Sequence, residues 1–218
     1  MKILVTVILF AYIVTIGCSP TRTATVWKNE HAFPGAYNKI MIAAIIDNND
    51  TALRAVVENR FKENLQSIGY RAVSSLKEFG TTGLRDLGQE DTYRILCDKG
   101  IDAVMTLALI DRTGENYTEP KSSYTQPVKY YYQRIWRYKE RQERFNVAFY
   151  DSTKKYSWEM ILFDLSTLQP HSIIQSKVYT NSVQESISAE FWKDILRRLV
   201  KDRYLKKREP VSEGPKAF

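Results

Sequence analysis

The chain has 218 residues, 44% hydrophobic and 26% charged, a folded-protein balance that excludes disorder and a coiled coil. That length supports one domain with a substantial core and is short for two. Lys and Arg number 32 against 25 Asp and Glu, for a formal charge of +7.

The chain opens with Met1-Lys2, an apolar run from Ile3 to Ile16, and then Gly17-Cys18-Ser19-Pro20. One positive charge, an apolar stretch and a small residue before a cut site make up a signal peptide, here residues 1–17. The run is shorter than the roughly 20 residues a permanent membrane helix needs. Thr15-Ile16-Gly17-Cys18 resembles the bacterial lipobox, with Thr15 standing where Leu, Val or Ile is usual. The resemblance implies that the Cys18 thiol receives a diacylglycerol and becomes the first residue. Ser19 after it favours the outer membrane, with the domain facing the periplasm. Removing Lys2 lowers the mature charge to +6, 31 cations against 25 anions. Cys97 is then the remaining free thiol, expected as a small buried hydrophobe on a helix beside Leu96.

Residues 18–37, with Pro20, Pro34, Gly35 and several threonines, read as a lipid-anchored tether. Lys39 to Ile46 is a continuous apolar run, which fits a strand buried on both faces. Asp47-Asn48-Asn49-Asp50-Thr51 supplies helix caps. Leu53, Val56, Val57, Phe61, Leu65 and Ile68 then recur at helical spacing up to a stop at Gly69. Tyr70 to Leu76 reads as a strand, 80–88 as a loop, Gln89 to Lys99 as a helix and Asp102 to Ile110 as another strand. Strand, helix, strand, helix, strand implies parallel pairing through right-handed crossovers.

Past Asp111 the pattern changes. Residues 112–144 interleave tyrosines with Lys and Arg. Strands are expected over Arg144–Tyr150, Tyr156–Leu165 and His171–Tyr179, joined by turns short enough to require an antiparallel meander. Ser182 and Glu185 form a capping box for a last helix, with an apolar face of Ile187, Phe191, Ile195, Leu199 and Val200. Residues 209–218 read as a loose tail. The expected fold is therefore α/β: a single domain over 38–208, with a parallel β-α-β-α-β core followed by an antiparallel meander and a C-terminal helix. The Tyr/Arg-rich insert falls at about 112–144.

No catalytic, cofactor or metal motif emerges. His31 and His171 sit far apart in dissimilar contexts and read as ordinary surface residues rather than metal ligands. No nucleophile elbow appears, and the turn after the first strand of the core is acidic and lacks glycine, so it cannot cradle phosphate. Asp47 and Asp111 each end an apolar strand. On neighbouring parallel strands they would share the carboxyl edge, where α/β sheets bind ligands, and two close carboxylates there can hold a cation or act as acid and base. Helix capping by Asp47 and solvation of Asp111 explain the same residues without chemistry. In the insert, Tyr130, Tyr131, Tyr132, Arg134, Trp136 and Arg137 are the partner-binding candidates, because aromatics among cations stack on flat ligands and attract anions. The competing reading has the aromatics covering the sheet. Export argues against nucleic acid, which leaves an envelope protein, a polyanionic envelope component or a lipid head group.

The lipobox, the strand-helix order, the Tyr-rich insert, a strand ending in Phe163-Asp164 and the turn Ser166-Thr167-Leu168 together resemble a family of uncharacterised bacterial envelope lipoproteins. The architecture is similar to the N-terminal domain of TolB and the periplasmic domain of CsgG. The resemblance implies a membrane-anchored, non-enzymatic binding or structural module without a cofactor. The alternatives are a component of a secretion or envelope-assembly complex, and a hydrolase using Asp47 and Asp111.

Overall fold

A computed structural model describes residues 23–29, 37–46, 51–81, 89–111, 156–177 and 189–209. In chain order the elements are β1 (Thr23–Lys28), β2 (Lys39–Ile45), α1 (Thr51–Ser67), β3 (Arg71–Ser74), α2 (Ser75–Phe79), α3 (Gln89–Asp98), β4 (Ala103–Asp111), β5 (Tyr156–Asp164), β6 (Gln169–Ser176) and α4 (Ala189–Lys201). They form one six-stranded open sheet in the order β1-β6-β5-β4-β2-β3. β2 pairs in parallel with β3 and β4, and the pairs β4–β5, β5–β6 and β6–β1 are antiparallel. The mixed α/β sheet with a parallel core, an antiparallel continuation and a C-terminal helix is the architecture the sequence pattern predicts.

The apolar run of β2 lies at the centre because both its faces are covered. Ile40, Ile42 and Ala44 join one core cluster, and Met41 joins the other. β3 and β4 flank β2, so the two right-handed crossovers run in opposite directions and their helices lie on opposite faces. α1 and α4 cover the larger cluster with Val57, Phe61, Leu65, Trp192, Ile195 and Leu199. Its centre is a knot of aromatic rings. Trp192 meets Phe61 edge-on at 5.5 Å, Trp158 at 6.0 Å and Phe191 at 4.6 Å, geometries that add attraction beyond burial. Leu96, Ile101, Val104, Ile161, Phe163 and Ile173 form the smaller cluster on the other face.

Three local expectations change. Thr23–Lys28, assigned to the tether, form the edge strand β1, whose backbone pairs with β6 from Thr23 opposite Ser176 to Lys28 opposite Ser172, with a shift in register between Thr25 and Trp27. The stretch read as one strand through Leu76 stops at Ser74, whose hydroxyl accepts from Lys77 N and caps the short helix α2. Cys97 is exposed rather than buried, since α3 turns Leu96 onto the sheet and its neighbour outward. Gly69 ends α1 at φ +88°, where a side chain would also strike Arg208 and Glu209 at 2.6 Å. The strand expected at 144–150, the capping box at 182–185 and the tail from 210 lie outside the described residues.

Candidate functional site

The parallel strands β2, β3 and β4 all point the same way, so the loops after Ile45, Ser74 and Asp111 leave one edge of the sheet. Asp111 pairs with Tyr156, so the segment 112–155 leaves and returns at that same carboxyl edge. The sequence-derived candidates thus belong to connections on one side of the domain. Asp47, Tyr130, Tyr131, Tyr132, Arg134, Trp136 and Arg137 lie outside the described residues, as does Cys18. Asp111 is described through its backbone alone. The condition set for the Asp47–Asp111 pair, neighbouring parallel strands, is met by Ile45 lying opposite Ala108.

Beneath this edge lies a buried acid that the sequence analysis did not single out. Glu58 of α1 is fully buried. Its Oε1 accepts from Ala44 N at 3.0 Å, Arg54 Nε at 3.0 Å and Ser75 Oγ at 2.9 Å. Its Oε2 accepts from Ser74 Oγ at 2.5 Å and Leu76 N at 2.8 Å. Five donors fill a carboxylate that offers about four lone pairs. Arg54 also donates from Nη1 to Thr81 O and from Nη2 to Ser75 Oγ. Apart from the Arg54–Glu58 pair within α1, these bonds tie α1 to β2, β3, α2 and the chain just after α2. The group is a joint of the fold, with no lone pair left for a cation or a substrate proton. The signal in the sequence was a charged i, i+4 pair set against the apolar stripe of Val57, Phe61 and Leu65.

A second buried cluster closes the opposite, amino edge. The β5–β6 register runs from Leu162 opposite Ser172 to Phe163 opposite Pro170, leaving His171 as an extra residue in a bulge. A bulge re-aims the side chain it carries. His171 turns to the α1/α4 face and reaches Tyr37 and Asp164. Its Nδ1 lies 2.7 Å from the Tyr37 hydroxyl, and its Nε2 lies 3.6 Å from Asp164 Oδ2. The Tyr37 hydroxyl also lies 3.4 Å from Asp164 Oδ2. With one proton to donate, Tyr37 gives it along the shorter contact to Nδ1, and the Nε2 proton then faces the carboxylate.

Burial pushes the His171 pKa down, against the opposing charge of Asp164, so the ring is held neutral. Burial and then the Asp164 charge push the Tyr37 hydroxyl well above its ordinary range. Burial alone would raise Asp164, but the Ser166 hydroxyl, the Thr167 and Ser166 amides and His171 together bring it below its usual value. Oδ1 accepts from Ser166 N at 2.7 Å, Ser166 Oγ at 2.5 Å and Thr167 N at 3.1 Å, which fixes the β5–β6 turn.

The chain after α4 seals this cluster from outside. Arg208 donates to Tyr37 O at 2.7 Å and stacks 4.4 Å over the Tyr70 ring, and Lys206 N donates to the Tyr70 hydroxyl at 2.8 Å. Tyr204 reaches Asn29 O at 3.2 Å with its ring 6.1 Å from His171. His171 is 3% exposed. It is therefore not the surface residue expected from sequence, and no substrate reaches it as it stands. The cluster can respond to protons; it cannot present a base to a ligand. Among the described residues no group of three or more His, Cys, Asp or Glu is arranged to hold a metal ion.

No protein-family model and no curated protein matches the chain. Among solved structures, the PelC dodecamer from Paraburkholderia phytofirmans aligns over 80% of this chain and 94% of its own, at 10% identity and a TM-score of 0.40. A single-substitution variant of the same PelC aligns over 79% and 94%, at 9% identity and a TM-score of 0.39. Likeness at that level carries no inference about what this chain does.

Proposed function

We propose that the chain is a bacterial envelope lipoprotein, anchored at the outer membrane through Cys18, whose α/β domain serves as a non-enzymatic scaffold facing the periplasm. The lipobox-like Thr15-Ile16-Gly17-Cys18 after an apolar run carries the anchoring half of this reading. The pairing of Asp111 with Tyr156 supports the scaffold half. It ties both ends of the Tyr/Arg-rich segment to one edge, while the opposite edge is closed by the chain after α4. A binding surface built from Tyr130, Tyr131, Tyr132, Arg134, Trp136 and Arg137 would be presented on that edge to an envelope protein or polyanion. The two buried polar clusters fit a scaffold, because both spend their hydrogen bonds inside the fold.

The test has two arms. Protein recovered from its host should lack residues 1–17 and carry a diacylglycerol mass on Cys18, and Cys18→Ser should release it from membranes. Intact Met1 or an unmodified Cys18 would end the anchoring half. Crosslinking in the envelope should capture a defined partner that is lost on changing Arg134 and Arg137 to Glu. Capture that is indifferent to those changes would end the binding half.

A further inference from the structure

We infer that the outer face of α4 and the chain that follows it form a cationic surface that lies against an anionic phospholipid leaflet, an inference that rests on acylation of Cys18. Every exposed residue from Phe191 to Lys207 is Lys or Arg: Lys193, Arg197, Lys201, Arg203, Lys206 and Lys207. The span 191–209 holds eight Lys and Arg against three Asp and Glu. Two of those three acids are already engaged, Asp194 by Arg197 at 2.5 Å and Asp202 by Thr25 Oγ1 at 3.0 Å. Lys193, Arg197 and Lys201 follow at i, i+4 and i+8, one stripe about 12 Å long. The inward stripe of Phe191, Trp192, Ile195 and Leu199 is buried, so the orientation of the cations is set by the core.

Compensation of the helix dipole explains cations in the last turn only, such as Arg198 and Lys201. It does not explain Lys193 or Arg197, nor the cations beyond the helix end. An ordinary solvated face mixes both signs in comparable numbers, whereas here six exposed cations stand against one exposed acid, Glu209.

The N-terminus supplies the occupant. Arg198 donates from Nε to Thr23 Oγ1 at 2.8 Å and from Nη2 to Thr23 O, so the first residue of β1 is pinned to α4. Only five peptide steps separate Cys18 from Thr23. Fully extended they reach at most about 18 Å. Acyl chains on Cys18 would therefore keep Thr23 within about 18 Å of the lipid surface, a tether short enough to let the face settle within one Debye length, where cations are drawn to anionic headgroups. A charge of the opposite sign on this face would hold the domain off.

The experiment uses host-processed protein in vesicles of phosphatidylcholine alone and in vesicles rich in phosphatidylglycerol. Each lysine is followed by mass spectrometry during acylation with an impermeant reagent. Lys193, Lys201, Lys206 and Lys207 should react about threefold or more slowly on the anionic vesicles. Lys77 of α2, exposed at the carboxyl edge, should react equally on both, and high salt should erase the difference. Equal rates for the α4 lysines on both vesicles would overturn the inference while leaving the anchor intact. So would a difference that survives in the K193E/R197E/K201E variant, whose three changes all fall on exposed positions. If the mass shows no lipid on Cys18, sedimentation with the same vesicles decides: salt-sensitive binding to phosphatidylglycerol alone supports the surface, and binding to neither overturns it.

Discussion

The Tyr37 hydroxyl lies 2.7 Å from His171 Nδ1 across 134 residues of sequence, inside the amino edge of the sheet. It links the chain two residues before β2 to the bulge in β6 and, through the Tyr37 carbonyl, to Arg208 beyond α4. Stability should follow the protonation of this cluster.

His171 has its pKa depressed in the fold, so the unfolded chain binds the proton first as pH falls. Its stabilising contribution is complete above the ordinary value near 6.5 and is lost as pH drops from there toward the lower native value. Asp164 is also depressed, so its contribution is lost in a second step below the ordinary 3.8. Urea midpoints measured across pH should show the first decline in the native sequence. His171→Gln should flatten it and leave the acid step in place.

Tyr37 runs the other way. Its hydroxyl is raised in the fold, so the unfolded chain ionises first and stability should fall as pH climbs past the ordinary 10. Tyr37→Phe should remove that alkaline decline. It should also destabilise the protein by about 1–3 kcal/mol at neutral pH, because it strands the buried His171 Nδ1. Denaturation at both pH values reads the two effects separately.

The Glu58 joint predicts a larger loss. Arg54→Met leaves a buried carboxylate without its cation, and Glu58→Ala leaves a buried guanidinium and several donors without their acceptor. Each should lower stability by about 3–5 kcal/mol. Ser74→Ala, which removes one of five donors, should cost about 1 kcal/mol. Equal effects for all three in equilibrium unfolding would mean that the carboxylate is not the hub.

Gly69→Ala should both strain the turn and push the Arg208 chain away, since its Cβ would lie 2.6 Å from Arg208 Cβ and Glu209 O. The left-handed backbone alone costs about 1–2 kcal/mol. Hydrogen exchange should quicken at Arg208 N and Lys206 N, whose acceptors are Ile68 O and the Tyr70 hydroxyl, before it quickens in the sheet.

Cys97 should react with a thiol reagent in the native protein at nearly the rate of the unfolded chain, because it is exposed. Cys97→Ser should change stability by less than about 0.5 kcal/mol. Host-processed protein should yield this one thiol, whereas an unprocessed chain would yield two.

The class of fold could be read from the chain because it depends on patterns of neighbouring residues. An apolar run such as Lys39–Ile46 needs cover on both faces, a stripe such as Val57–Phe61–Leu65 needs a sheet to lie on, and a four-residue turn after Asp164 permits only antiparallel pairing. These constraints act within a few residues, so spacing reports them. β1 escaped because a half-buried edge strand rich in threonine resembles a linker until its partner is known. Cys97 escaped because its helix position was assigned to the wrong face, a matter of rotation by a single residue.

The polar clusters were settled at longer range. Nothing near His171 in sequence marks it as buried, because an extra residue in β6 turns it toward Tyr37 and the chain after α4 covers it. Glu58 looks like a surface acid on a helix until β2, β3 and α2 bring four donors to it beside Arg54 of its own helix. Local periodicity sets which side chains need burial, since burial follows from the spacing of apolar groups. Which polar groups share that burial depends on hydrogen bonds between residues 14 to 171 positions apart, and those exist only once the sheet has assembled.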